Sequence, residues 1–233
     1  MNSNGPEEVK ETSPVIEGRI ESMMASPSGT GSWFYRFAWL LVRFLLIVFF
    51  RLKVKGAKQV PKEGGVILAS NHCSLLDPPV VGVSTWRELN FMAKRELFAG
   101  RLLGGLISRL HAFPVRRGFG RDAIKAALDV LAREQALLLF PEGTRSKDGR
   151  LGPVKAGLGM LAVVTGKPIV PVCISGTRRL WRSFLGLDRI QVTFGEALLP
   201  PQGPVGEDRK ALYHRISSEV MERIAQMQAA QKR

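Results

Sequence analysis

The amino-acid sequence predicts an α/β protein. Its expected architecture is a layered, mixed and largely parallel sheet flanked by helices, with an N-terminal helical segment at a membrane interface. Three observations lead there. Beyond residue 60, short apolar runs alternate with helical patterns, as parallel strands joined by helices require. Residues 33–50 form one apolar, aromatic-rich stretch. The chain also carries 34 Lys plus Arg against 20 Asp plus Glu, a net charge of +14, which suits an anionic partner. A length of 233 residues fits one domain, and 45% apolar with 23% charged residues excludes a disordered, collagenous or coiled-coil chain. Two cysteines exclude a disulfide scaffold.

Residues 1–32 are polar, end in a Ser/Gly/Pro-rich run and lack apolar periodicity, so they are expected to be a disordered tail. They have neither the basic start nor the apolar core of a signal peptide. Two basic residues stand there against five Glu, a net of −3, which leaves +17 on residues 33–233.

Trp33 to Phe50 is broken only by Arg36 and Arg43. A spanning helix needs about 20 apolar residues, and an arginine at its centre costs about 3 kcal/mol. The segment is therefore expected to lie in a bilayer interface, Arg36 and Arg43 reaching lipid phosphates and the rings buried among acyl chains. A single span and a helix packed on the protein core are the alternatives. Arg51, Lys53, Lys55 and Lys58 add a basic flank for an anionic leaflet. Residues 33–58 are read as a membrane-associating segment and 59–233 as the globular domain.

Within that domain, strands are expected at 66–70, 90–93, 136–140, 168–174 and 189–194. Helices are expected at 122–134, with Asp122 as candidate N-cap, at 154–164 and at 207–230. Ligands of such folds gather at the carboxyl ends of strands.

Two polar motifs sit at such ends. After the first strand runs Asn71-His72-Cys73-Ser74-Leu75-Leu76-Asp77-Pro78. A histidine base needs its second nitrogen held by an acceptor, and Asp77 can supply one if the chain turns between them. The alternative is a turn bearing a surface histidine. After strand 136–140 comes Phe140-Pro141-Glu142-Gly143-Thr144-Arg145. Gly143 lets the backbone approach a ligand, Arg145 offers a planar donor fork for phosphate and Thr144 a hydroxyl. Glu142 is expected to orient Arg145 or to meet a substrate hydroxyl. The alternative is a β-turn with a surface ion pair. A third segment, Phe113 to Gly118, ends in Arg116 and Arg117, an anion site or a solvated basic turn.

Other chemistries lack their signatures. There is no Gly-x-Ser-x-Gly elbow and no Walker loop. Gly118-x-Gly120-x-x-Ala123 follows an interrupted strand, a poor dinucleotide site. Cys73 reads as filler beside His72 rather than as a nucleophile. The three histidines have no metal-ligand spacing, so no metal is expected. The aromatics cluster in one apolar segment and are not interleaved with Lys and Arg, which argues against nucleic acid.

In combination, residues 50–200 resemble the glycerolipid acyltransferases, the family typified by bacterial 1-acyl-glycerol-3-phosphate acyltransferase. The first family block, Asn-His-x4-Asp, is matched by Asn71, His72 and Asp77. The second, an apolar run ending in Arg, resembles Ala112 to Arg117. The third, Phe-Pro-Glu-Gly-Thr-Arg, is matched in full at 140–145, and the fourth resembles Val170-Pro171-Val172. Lys94, Glu96, Lys155 and Gly157 are also family-like. The resemblance implies transfer of a fatty acyl group from acyl-CoA or acyl carrier protein to lysophosphatidic acid, giving phosphatidic acid without a cofactor. It implies that His72 is the base and Asp77 its orienter. Arg117 and Arg145, aided by Lys94, would bind the acceptor phosphate, and Glu142, Gly143 and Thr144 would shape the acceptor site. Backbone N–H groups of the turn after strand 66–70 are the candidate oxyanion donors. A peripheral or monotopic protein at the cytoplasmic face of an anionic cell membrane is expected. A different lysolipid acceptor, such as lyso-ornithine lipid, and a non-catalytic membrane scaffold are the competing readings.

Overall fold

The computed structural model describes residues 33–100, 104–105, 107–108, 110–115, 120–201 and 208–231. The tail expected over 1–32 lies outside the described residues, as do Arg116 and Arg117.

The elements run α1 (Trp33–Phe50), β1 (Lys53–Lys55), β2 (Val66–Ser70), α2 (Asp77–Gly82), β3 (Leu89–Lys94) and β4 (Ala112–Val115). They continue with α3 (Arg121–Ala132), β5 (Ala136–Leu139), α4 (Gly157–Thr165), β6 (Ile169–Ser175), α5 (Leu180–Phe184), β7 (Gln191–Phe194) and α6 (Arg209–Gln231). The strands form one sheet in the order β1-β7-β6-β2-β5-β3-β4. Every neighbouring pair is parallel except β6 with β7. The expected mixed, largely parallel sheet is therefore the observed one.

Alternation along the strands sends side chains to two separate cores. In β2, Val66 and Leu68 face one layer while Ile67 and Ala69 face the other. The first layer is covered by α1 and α2, through Leu46, Val80, Val81 and Val83. The second is covered by α3, α4 and α6; Leu212, Ile216, Val220 and Ile224 of α6 fall one turn apart and bury one stripe. With both faces covered, β2, β5 and most of β6 are buried at every position. That is why they read as unbroken apolar runs.

Four elements depart from the sequence expectation. β4 forms despite Pro114, because it lies at the sheet edge, where a missing N–H costs no ladder bond. β1 is only Lys-Val-Lys, too short and polar to show a pattern. The short helices α2 and α5 add to these. Asp122 is not the N-cap of α3; Gly120 is, and Asp122 falls in the first turn.

Residues 33–58, set apart in the sequence as a membrane segment, are joined to the body. β1 is a strand of its sheet, and α1 lays Trp39, Val42, Leu46 and Phe50 on the first core. Arg43 does not reach outward: its guanidinium donates to the Val83 carbonyl and lies over the rings of Trp39 and Trp86. The opposite side of α1 exposes Phe37, Leu40, Phe44 and Val48. Among the described residues, no helix is long and apolar enough to cross a membrane.

Candidate active site

The carboxyl ends of β2, β5, β6 and β3 lie side by side, and the first two carry the polar motifs. β2 ends at Ser70, and Asn71 continues its pairing with β6 by side chain. Asn71 Nδ2 donates to the Ile174 carbonyl (3.0 Å) and Ile174 N–H donates to Asn71 Oδ1 (2.8 Å). The chain then turns, and Pro78 and Pro79 open α2 directly behind Asp77. This turn brings His72 back to Asp77 across five positions: His72 Nδ1 lies 2.8 Å from Asp77 Oδ2.

Asp77 is wholly buried, and donors surround it. Oδ2 accepts from the N–H groups of Cys73 (2.6 Å) and Ser74 (2.7 Å) as well as from His72. Oδ1 accepts from Thr177 Oγ1 at 2.6 Å. An oxygen that already takes two backbone N–H groups acts as an acceptor toward the imidazole. The proton therefore sits on Nδ1, and Nε2 presents its lone pair. The ring stacks on Phe140, centroids 3.9 Å apart and planes 19° apart, and its side chain is 16% exposed. A histidine held in this tautomer and orientation can take a proton at Nε2.

The 140–145 loop is clasped to this turn. Glu142 Oε1 accepts from His72 N–H (3.1 Å), Oε2 accepts from Gly152 N–H (2.8 Å), and Ser146 N–H donates to the His72 carbonyl (2.7 Å). Glu142 is 4% exposed. Beside its expected roles, orienting Arg145 or meeting a substrate hydroxyl, Glu142 has a structural one: each carboxylate oxygen accepts a backbone N–H from another part of the chain. Gly143 turns with φ +67°, and a Cβ there would meet Lys155 Nζ at 2.8 Å.

Beyond the clasp, Gly143, Thr144 and Arg145 stand exposed at the rim. Lys94 is exposed at the carboxyl end of β3, two strands along from β2. Arg117 lies outside the described residues. Among the described residues, no cluster of three or more His, Cys, Asp or Glu could hold a metal ion.

Most of the N–H groups of the turn are taken within the chain, which narrows the expected oxyanion donors. The N–H groups of His72, Cys73, Ser74, Leu76 and Asp77 are directed to Glu142, Asp77 and Ser74. Cys73 is not primed as a thiolate. Burial first, then the charge of Asp77, pushes its thiol up to about 11.

Sequence reasoning missed Thr177. It lies 100 positions from Asp77, and only the pairing of β6 beside β2 brings it there. Its one local signal is a hydroxyl just past a strand end, after Gly176, where φ is +83° and an added Cβ would meet the Arg189 carbonyl oxygen at 2.2 Å.

The chain matches a family model described as acyltransferase over residues 51–175, which takes in both motifs. It is 32% identical over 136 residues to the chloroplastic 1-acyl-sn-glycerol-3-phosphate acyltransferase BAT2 of Brassica napus, covering 57% of this chain and 39% of that protein. A 1-acyl-sn-glycerol-3-phosphate acyltransferase of Bacillus subtilis is 29% identical over 144 residues, 61% of this chain and 71% of that one. A lyso-ornithine lipid O-acyltransferase of Pseudomonas aeruginosa is 29% identical over 173 residues, 72% and 65%. The matched segment thus spans about two fifths of the plant relative's length. The fold is shared with the 1-acyl-sn-glycerophosphate acyltransferase PlsC of Thermotoga maritima: TM-score 0.57, 24% identity, 89% of this chain and 88% of that one. With more than half its length matched by the family model, the chain belongs to the acyltransferase family.

Proposed function

We propose that the protein transfers a fatty acyl group from an acyl thioester to the sn-2 hydroxyl of lysophosphatidic acid, yielding phosphatidic acid. The observation that carries this reading is the His72–Asp77 pair, with Nδ1 held by the carboxylate and the ring stacked on Phe140. His72 Nε2 takes the proton of the acceptor hydroxyl as its oxygen attacks the thioester carbonyl. The C–S bond then breaks, and the thiolate leaves with the proton from imidazolium. Asp77 holds the imidazolium that forms between these steps. Charge on the tetrahedral oxygen needs donors other than the N–H groups of His72, Cys73, Ser74, Leu76 and Asp77, which bond within the chain. Arg145, with Lys94 and Arg117, meets the acceptor phosphate; exposed Leu75 and Leu76 beside the base give the acyl chain an apolar approach.

Both the acceptor and the product are bilayer lipids. The outward face of α1, with Phe37, Leu40, Phe44 and Val48, is suited to lie in the headgroup region of an anionic membrane at its cytoplasmic face. A second acceptor has one observation in its favour, the Pseudomonas relative, whose match covers 72% of this chain. On that reading the acceptor is a lyso-ornithine lipid.

The test is a panel of lysolipids given to the purified chain with acyl-CoA or acyl carrier protein, following thiol release and product. Lysophosphatidate should be acylated fastest. Acylation of lyso-ornithine lipid with none of lysophosphatidate would replace the first reading by the second; no thiol release with any acceptor would remove both.

A further inference from the structure

We propose that α5 and the turn after it form a second bilayer-contacting element, separate in sequence from α1, that seats the protein on an anionic lipid surface. Within seven residues, four large apolar side chains stand more than half exposed: Trp181 (57%), Phe184 (59%), Leu185 (62%) and Leu187 (59%). The inner side of the short helix is already fixed. Leu180 packs on the first core, and buried Ser183 donates to the Gly176 carbonyl. Positions 181, 184 and 185 therefore share the outward side, so the apolar face is turned to the surroundings. A water-soluble surface rarely collects such side chains without a use for them.

The patch is continuous with α1. The Phe184 ring lies 6.2 Å from that of Phe49 and 6.1 Å from that of Phe50, and Arg51 Nη1 donates to the Gly186 carbonyl (3.0 Å). Its charge is complementary to anionic lipid: residues 178–189 hold four Arg and one Asp. Arg179 and Arg189 are exposed at its edges. Arg182 pairs with Asp188 and lies 5.7 Å from the Trp181 ring. A tryptophan with arginines beside an apolar cluster is the composition of a bilayer interface. The helix also begins three residues after Thr177, the partner of Asp77. Contact here would hold the carboxyl ends of the strands toward the lipid.

The continuity argument rests on the reading of α1 as bilayer-facing, so the experiment separates the two. The full chain and two variants are floated with vesicles of phosphatidylglycerol and phosphatidylcholine. One variant carries Trp181→Ala, Leu185→Ala and Leu187→Ala; the other carries Leu40→Ser and Phe44→Ser. Thermal unfolding checks their folding, and turnover of short-chain, monomeric substrates should be unchanged. The α5 variant should bind vesicles about tenfold or more weakly. In the otherwise native chain, quenching by brominated lipid should fall when Trp181→Phe removes that indole. This measurement stands alone if the triple variant does not fold. Wild-type vesicle binding by the α5 variant, with weaker binding by the α1 variant, overturns this proposal and leaves the α1 reading. Wild-type binding by both overturns both. Intact vesicle binding with a selective loss of turnover on acyl carrier protein would make the patch a dock for an acidic protein, and overturns it too.

Discussion

Two regions at the carboxyl ends of the strands have opposite construction. The His72–Asp77 turn is closed: Asp77 is fully buried, takes four donors from within the chain, and its histidine is stacked and tied to the neighbouring loop. The rim of Thr144, Arg145 and Lys94 is open, with each side chain in solvent. On the proposed mechanism, the difference divides the work between them. Proton transfer gains from a group that needs no reorganisation. Capture of a mobile headgroup gains from long, adaptable cations. Substitutions in the turn should therefore lower kcat, and substitutions at the rim should raise KM.

The largest effects belong to the turn. His72→Ala should lower kcat by about 10²–10⁴ with the fold retained, measured as thiol release by protein of unchanged melting temperature. Asp77→Ala should lose as much activity and stability as well, since each unpaired buried donor costs about 1–3 kcal/mol. Near-normal turnover by His72→Ala would break the comparison at its root.

Glu142→Ala comes next. It leaves the His72 and Gly152 N–H groups without their acceptor, so that of the clasp between the loops only Ser146 N–H to the His72 carbonyl remains. The base stays but its position loosens, so a loss of about tenfold to hundredfold in kcat is expected, with a lower melting temperature. A change in KM alone would return Glu142 to the rim. Arg145→Ala should do the reverse, raising KM for lysophosphatidate about tenfold or more while kcat moves little. If it lowered kcat alone, the open rim would belong to the transition state.

The two regions also differed in how far the sequence disclosed them. The His72–Asp77 pairing was legible because both residues lie in one turn bounded by a buried strand and two prolines. The sheet was legible through β2, β5 and β6, whose runs are unbroken because both faces are covered. What escaped depends on tertiary neighbours. Thr177 reaches Asp77 only because β6 lies beside β2. The sequence offered Glu142 to Arg145 or a substrate hydroxyl and gave no sign of the N–H groups of residues 72 and 152 that it accepts. Pro114 made the strand before Gly118 read as interrupted, though the sheet edge permits it, and α1 hid its packed side because its outward side is equally apolar. Arg43 illustrates the last point: composition sent it to lipid phosphate, while the structure gives it a carbonyl and two indoles.

Thr177 sharpens the comparison further. Thr177→Val removes one donor from Asp77 and keeps the size, so about a tenfold loss of kcat is expected, with Thr177→Ser restoring most of it. Equal activity of all three forms would mean that Oδ1 needs no partner, and that the closed turn ends at Ser74.

The smallest effect should fall on Cys73, and it tests whether nearness to the base suffices for a role. The thiol adjoins His72, yet burial and the Asp77 charge hold its pKa near 11. The shift is upward, so the folded protein keeps the thiol protonated as pH rises past the ordinary cysteine value. At pH 8 about one molecule in a thousand carries the reactive thiolate. Alkylation by iodoacetamide should be slow at pH 8 and quicken only as pH approaches 11, with unfolded protein reacting at the ordinary rate. Cys73→Ser should keep kcat within about twofold, because in the proposed mechanism the acyl group passes straight to the acceptor oxygen and never to sulfur. An acyl-thioester trapped on Cys73, or a large loss in Cys73→Ser, would replace base catalysis by a two-step path. The closed turn would then be a support for sulfur rather than for the histidine.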